Sequence, residues 1–157
     1  MIHRLALERI SMALKTAHMR QVHGITFAAK GQSAHWVMMD GSPEFGGSNA
    51  ASTPKELVLM ALAGCTASDV VPILEKKRAP LAHLEINVTA HDREEHPRIF
   101  TDVHVEYVFY GDGLKPADVE RAIELSTTKY CSVTAILTSS VAITHSYRIE
   151  PAVKASE

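Results

Sequence analysis

Two stretches of the chain alternate apolar and polar residues with a period of two. Leu84, Ile86, Val88 and Ala90 are interleaved with Glu85, Asn87 and Thr89, and Val103, Val105, Tyr107 and Phe109 with Asp102, His104 and Glu106. That period turns one face of each segment to a core and the other to solvent, so both are predicted strands. The charged segment 92–98, which contains Pro97, joins them as a hairpin loop. Residues 16–39 read as three shorter strands punctuated by Gly24 and Gly31, the clearest being His35-Trp-Val-Met-Met39. Asp40-Gly-Ser-Pro43 ends that run and opens the longest loop, 40–52, whose length suits a functional role. A last strand is predicted over 141–149.

The pattern changes after the loop. Thr53-Pro-Lys-Glu56 offers a capping threonine, proline at the first helical position and glutamate three residues after the cap. Residues 57–64 are then apolar on every side, so this helix must be surrounded by protein. Gly64 lets another backbone approach beside Cys65. Pro72, unable to donate to the Ser68 carbonyl, is predicted to kink the helix. Lys76-Lys-Arg78 before Pro80 closes it. Pro116 opens a second helix with Val119, Ala122, Ile123, Ser126 and Tyr130 on one face, and a short helix follows over 132–138. Trp36, Tyr107 and Phe109 are expected in the core, and Tyr130 in the core or an interface. Residues 1–15 read as a leader or short helix, with Met12 an alternative start, 16–149 as one α+β domain and 150–157 as a tail.

A chain of 157 residues can bury one sizeable core, and a net charge of −2 leaves no electrostatic footprint for nucleic acid or an anionic membrane. The start lacks the apolar run of a secretory signal. The most apolar window, 57–74, carries Asp69, which would cost about 2.5–3.5 kcal/mol in mid-membrane, so a buried helix is expected and no membrane span. The cytoplasm is the expected location.

Chemistry concentrates in the two cysteines. Cys65 ends the apolar run 57–65, and Cys131 lies 66 positions later in Ser126-Thr-Thr-Lys-Tyr-Cys-Ser-Val133. Two thiols can form a redox pair or pack as small hydrophobes. Cys131 lies just ahead of the short helix, where a terminus would stabilise a thiolate. Cys65 lies twelve residues past its cap, so its activation must come from outside its own helix. Asp69, one turn after Cys65 on the same face, would raise the thiol pKa. Glu56 is half a helical turn away from Cys65 around the axis and about 13.5 Å along it. It reads equally as a capping-box residue, and Lys55 as a solvated first-turn lysine. A hydrogen bond or an ion pair with a partner chain would account for Asp69. Among nine histidines no pair has helical i,i+4 spacing, there is no HExxH, and neither cysteine has a CxxC partner, so neither a metal nor a cofactor is expected.

Pro54-Lys-Glu-Leu57, Ala63-Gly-Cys65-Thr66 and Leu125-Ser126, with Lys129-Tyr-Cys131-Ser-Val133 beyond two long strands, resemble the OsmC/Ohr family from about Thr16 to Arg148. The resemblance implies an OsmC-like α+β fold, with mixed sheets wrapped around central cysteine-bearing helices in an intertwined homodimer. It implies thiol-dependent reduction of small organic hydroperoxides by Cys65 as peroxidatic thiolate and Cys131 as resolving thiol, with a lipoyl-type dithiol as reductant. Peroxidases of this family carry a glutamate ten residues before the peroxidatic cysteine and an arginine on a glycine-rich strand. Here Lys55 holds the glutamate position, Glu56 is one place off, and His23-Gly-Ile-Thr-Phe27 has no arginine, Arg20 being the nearest candidate. The segment Cys65-Thr-Ala-Ser-Asp-Val-Val71 marks a less characterised branch. The second function class is a non-catalytic OsmC-like dimer that binds a small hydrophobic ligand.

Overall fold

The structure, a computed structural model, describes residues 14–152. The reading of 1–15 as a leader or short helix falls almost wholly outside them, as does most of the predicted tail. The described chain is mixed α+β, and it divides at Pro54 into two compact units.

The first unit holds a three-stranded antiparallel sheet, β1 (Ala17–His23), β2 (Thr26–Gly31) and β3 (Trp36–Met39). Gly24, at φ +52°, makes the tight turn between β1 and β2 that an L side chain rarely adopts. Trp36 is not in the core: it is 41% exposed on the edge strand. Its ring lies under the Arg20 guanidinium at 4.3 Å and the Lys30 ammonium at 4.8 Å, a cation–π sandwich that suits a wet surface. The long loop after β3 is organised by Asp40. Its buried carboxylate accepts from the N–H groups of Gly41, Ser48 and Ala50 and from the Ser48 hydroxyl. These donors hold the carboxyl far below the ordinary carboxylate range. A Cβ at Gly47 would overlap the Gly41 carbonyl, so the loop closes only with glycine there.

The second unit begins with α1 (Pro54–Lys76) and continues through the β4 (His83–Asp92) and β5 (Phe100–Tyr110) hairpin. Next come α2 (Pro116–Leu125), a five-residue π turn (Ser126–Tyr130), α3 (Ser132–Leu137) and β6 (Ala142–Glu150). The sheet is mixed, with β5 antiparallel to β4 and parallel to β6. Helical segments fill the β5–β6 connection, as a parallel crossover requires. The predicted alternation holds: Val103, Val105, Tyr107 and Phe109 are buried and form the core with Leu62, Val70 and Leu74 of α1 and Val119, Ala122 and Ile123 of α2.

The first helix is expected to be surrounded by protein, and within this chain it buries only the i,i+4 stripe Leu62, Thr66, Val70 and Leu74, so the described residues supply only part of that cover. By length and composition it would suffice to cross a membrane, and only 22% of its most apolar window is buried. Among the described residues nothing approaches within 4 Å of a Cβ placed on Gly64, so none of their backbone uses that gap. Tyr130, expected in the core or an interface, is 50% exposed within this chain, which leaves the interface of the two. The π turn is the cause: its wider coil breaks the α-helical face after Ser126, which stays buried, and carries Tyr130 outward.

Candidate active site

Cys65 reaches the centre from the middle of α1, and Cys131 from the joint between the π turn and α3. The π turn is closed by the Cys131 N–H donating to the Ser126 carbonyl at 2.8 Å, an i→i+5 bond. Cys131 then caps α3, its sulfur accepting from the Thr134 N–H at 3.4 Å. The Cys65 sulfur, the Cys131 sulfur and an Asp69 carboxylate oxygen all lie within 4.8 Å of one another. Cys131 is buried, while Cys65 is partly accessible.

The two thiols are pushed in opposite directions. Burial works against the Cys65 thiolate, and so does the charge of Asp69. They are outweighed by the Val133 N–H, the Cys131 thiol and the Ser132 hydroxyl, which together hold Cys65 below the ordinary thiol range. The Ser132 oxygen is 4.0 Å from the Cys65 sulfur. Cys131 is pushed up, first by burial and further by its neighbour Cys65, with the Thr134 N–H offsetting part of this. Activation of Cys65 from outside its own helix is therefore what the geometry contains, and its source is the start of α3. At the start of α3, Thr134 also favours the Cys131 thiolate, but burial outweighs it.

Asp69 finds its partner locally. The Ser126 hydroxyl donates to Asp69 Oδ2 at 3.0 Å. Ser126 Oγ is 2.9 Å from Thr66 Oγ1, which is 2.8 Å from the Tyr107 hydroxyl. Ser126, Thr66 and Tyr107 are all buried. Each hydroxyl has one proton, and that of Ser126 is committed to the carboxylate. Thr66 must then donate to Ser126, and Tyr107 to Thr66, so three hydroxyls point in file at one carboxylate. Sequence reasoning placed Ser126 and Tyr107 as packing residues. A signal was present, since Thr66 and Asp69 flank one helical turn with Cys65.

Lys55 and Glu56 lie at the start of α1, more than two turns before Cys65. The Lys55 side chain is partly exposed, as expected of a first-turn lysine, but it is also held: its ammonium pairs with Asp92 at 2.5 Å, donates to the Arg98 carbonyl at 2.7 Å and sits 4.5 Å from the Phe100 ring centre. It fastens the start of α1 to the β4–β5 loop and does not neutralise Asp69. Glu56 lines an open groove of about 340 Å³ with Leu59, Met60, Ala63, Ile86 and Val88. Arg20 belongs to the first unit, over Trp36. Two thiols and a carboxylate also amount to three donors of a kind zinc accepts, a trio the spacing rules could not show because its members are 66 residues apart.

The structure thus brings a partly exposed cysteine against a buried one on a mixed α+β fold. The family profile described as OsmC-like protein matches residues 46–146, and the chain belongs to that family. It is 43% identical to Protein YhfA of Escherichia coli K12 over 133 residues, which are 85% of this chain and 96% of that protein. A hypothetical protein from Aquifex aeolicus VF5 superposes with a TM-score of 0.79 at 28% identity, covering 90% of this chain and all of its own. An organic hydroperoxide resistance protein OsmC from Legionella pneumophila superposes with a TM-score of 0.64 at 14% identity, over 87% of this chain and 98% of its own. At that identity the likeness establishes a common fold.

Proposed function

We propose that the protein is a thiol peroxidase that reduces small organic hydroperoxides through Cys65 and Cys131. The observation that carries this reading is the pairing of a lowered, accessible thiol with a protonated thiol no more than 4.8 Å away. The Cys65 thiolate attacks the outer peroxide oxygen, the O–O bond breaks, and the alkoxide leaves as the alcohol once protonated. Cys65 is then a sulfenic acid. Cys131 attacks its sulfur, water departs, and a disulfide remains for an external dithiol to reduce. The apolar residues around Cys65 favour an alkyl peroxide over hydrogen peroxide. Thiols kept reduced between turnovers suit the cytoplasm.

The working unit of this reading is a homodimer. Met60 is 53% exposed on an all-apolar helix, and Met19, Val22, Val37 and Met38 are each more than 40% exposed on the first sheet. Apolar surface on that scale calls for a cover, and an isologous contact through the open side of α1 would supply one. Light scattering should give twice the chain mass, and a bulky residue at Gly64 should weaken the assembly.

The test of the reaction is steady-state reduction of cumene hydroperoxide with a dithiol, with intact mass after one equivalent of peroxide. A loss of two hydrogens supports the redox pair. An unchanged mass with wild-type turnover no faster than Cys65→Ser sinks it, and leaves the ligand-binding dimer as the better account.

A further inference from the structure

The disulfide-forming step needs a place for a proton, and the buried hydroxyl file indicates where it goes. We propose that Asp69 is the proton carrier for closure of the Cys65–Cys131 pair, taking the Cys131 thiol proton as that sulfur attacks oxidised Cys65 and passing it to the departing group. The inference rests on the redox-pair reading but not on the identity of the oxidant.

Cys131 must attack as a thiolate, yet it is buried, and burial is the largest cause that opposes its ionisation. Among the described residues, three titratable groups face the Asp69 carboxylate from the packed elements: Cys65 on its own helix, Cys131 on the joint before α3, and Tyr107 on β5 through Thr66 and Ser126. Tyr107 is itself pushed up by burial and remains a donor. A carboxylate has two oxygens. Ser126 engages Oδ2 at 3.0 Å, which fixes the group's orientation and leaves acceptor capacity for a thiol proton. The π turn makes this arrangement possible, because Ser126 donates to Asp69 with its side chain and accepts from the Cys131 N–H with its carbonyl. One residue thus ties the carrier to the attacking thiol.

The step balances. The Cys131 S–H bond breaks, and the sulfur electron pair forms the S–S bond as the S–O bond of the Cys65 sulfenic acid breaks. The proton moves to Asp69 and then to the departing hydroxide, giving water and restoring the carboxylate. The same residue therefore has opposite effects on the two half-steps: its charge disfavours the Cys65 thiolate, and its basicity serves Cys131.

The experiment follows both half-steps without peroxide. Reduced protein is mixed with one equivalent of dithionitrobenzoate. Attack by Cys65 releases one thionitrobenzoate, and closure by Cys131 releases a second in a phase independent of protein concentration. In Asp69→Asn, which keeps the shape and an acceptor for Ser126, the first phase is expected to be as fast or faster. The second should slow about a hundredfold at neutral pH, the lower end of what a positioned base supplies. It should also gain a slope of about tenfold per pH unit, because closure then waits for free Cys131 thiolate. Wild type and Asp69→Glu should keep a flat second phase. A second phase in Asp69→Asn with the wild-type rate or the wild-type flat profile overturns the inference, as does its absence in wild type. Should Asp69→Asn fail to fold, Ser126→Ala decides: a slower second phase with the first intact supports the carrier, and two unchanged phases overturn it. A protein that closes in this manner but does not consume cumene hydroperoxide keeps its proton carrier and loses the peroxidase reading.

Discussion

Cys65 and Cys131 share one contact and occupy opposite settings. Cys65 stands on the middle of a long helix whose own dipole does little for it, open enough to meet a substrate, and is served by the Val133 N–H and the Ser132 hydroxyl of another element. Cys131 stands at a helix start, where a thiolate would be expected, but is buried and turns its sulfur to the Thr134 N–H. Position in a helix alone would therefore lower the wrong thiol. The decision lies in which sulfur the polar groups at the start of α3 reach and which one is desolvated.

The largest effects should come from removing either sulfur. Cys65→Ser is expected to lower peroxide reduction to background, because no other thiol can reach the substrate from this centre. Cys131→Ser should complete one turnover and then stall, with Cys65 climbing to sulfinic and sulfonic acid, visible as added oxygen atoms in intact mass. Equal and partial losses in both variants would mean that the asymmetry between the two thiols has no kinetic content.

Next in size is the support beneath the pair. Thr66→Val keeps the shape of Thr66 but leaves the Ser126 and Tyr107 hydroxyls with a gap between them in the core. It should cost about 1–3 kcal/mol in denaturant unfolding, the penalty for buried polar groups left unpaired. Tyr107→Phe removes the other end of the file, so the double variant should cost less than the two single changes added together. Strict additivity would show that the hydroxyls are not linked.

Most of the scaffold of this centre was legible in the sequence, while its wiring was not. Alternation in 84–90 and 103–109 located the two long strands and named Tyr107 and Phe109 as core, and Thr53-Pro54 located the start of α1. The same alternation misplaced Trp36, because an edge strand of a small sheet offers no second layer, and cations cover the ring there instead. Tyr130 left the helical face that carries Ser126 because helical periodicity assumes a uniform turn, and a π turn leaves no composition signature. The cysteines declared themselves by their segments, and Asp69 by being a charge on an apolar helix. Its partner Ser126, 57 residues on, could not be read, because contacts between distant segments carry no local pattern. The anchors of Lys55 could not be read either, because Asp92 and the Arg98 carbonyl lie in a loop whose direction the sequence leaves open.

A smaller effect concerns pH. A depressed thiol pKa leaves Cys65 as thiolate from pH values below the ordinary thiol range of about 8.5, and its reactivity is lost as pH falls through the depressed value. Alkylation of Cys131→Ser by iodoacetamide should therefore lose its rate at a lower pH than an ordinary thiol does, although that change also removes one of the donors to Cys65. The Cys131 thiol in Cys65→Ser should react slowly until the pH is well above neutral, because burial and not only Cys65 raises it. Identical profiles for the two variants would erase the contrast on which their roles depend.

The smallest effect is the one that separates positioning from chemistry. Lys55 occupies the place where the peroxidases that this chain resembles carry a glutamate, but its ammonium belongs to Asp92, the Arg98 carbonyl and the face of Phe100. Its ion pair is more than 40% exposed at both ends, so salt and water screen it. Lys55→Ala should cost no more than about 1 kcal/mol of stability and should leave both thiol pH profiles in place. Lys55→Glu sets a carboxylate beside Asp92 and should destabilise the start of α1 slightly more than alanine does, without speeding peroxide reduction. The reason is geometric, since residue 55 lies ten positions before Cys65, about 15 Å along the helix axis, and a charge there cannot steady a thiolate held by the start of α3. A gain in turnover for Lys55→Glu would show that a second chain brings residue 55 of one protomer to Cys65 of the other, and that the activating groups found within one chain are only part of the site.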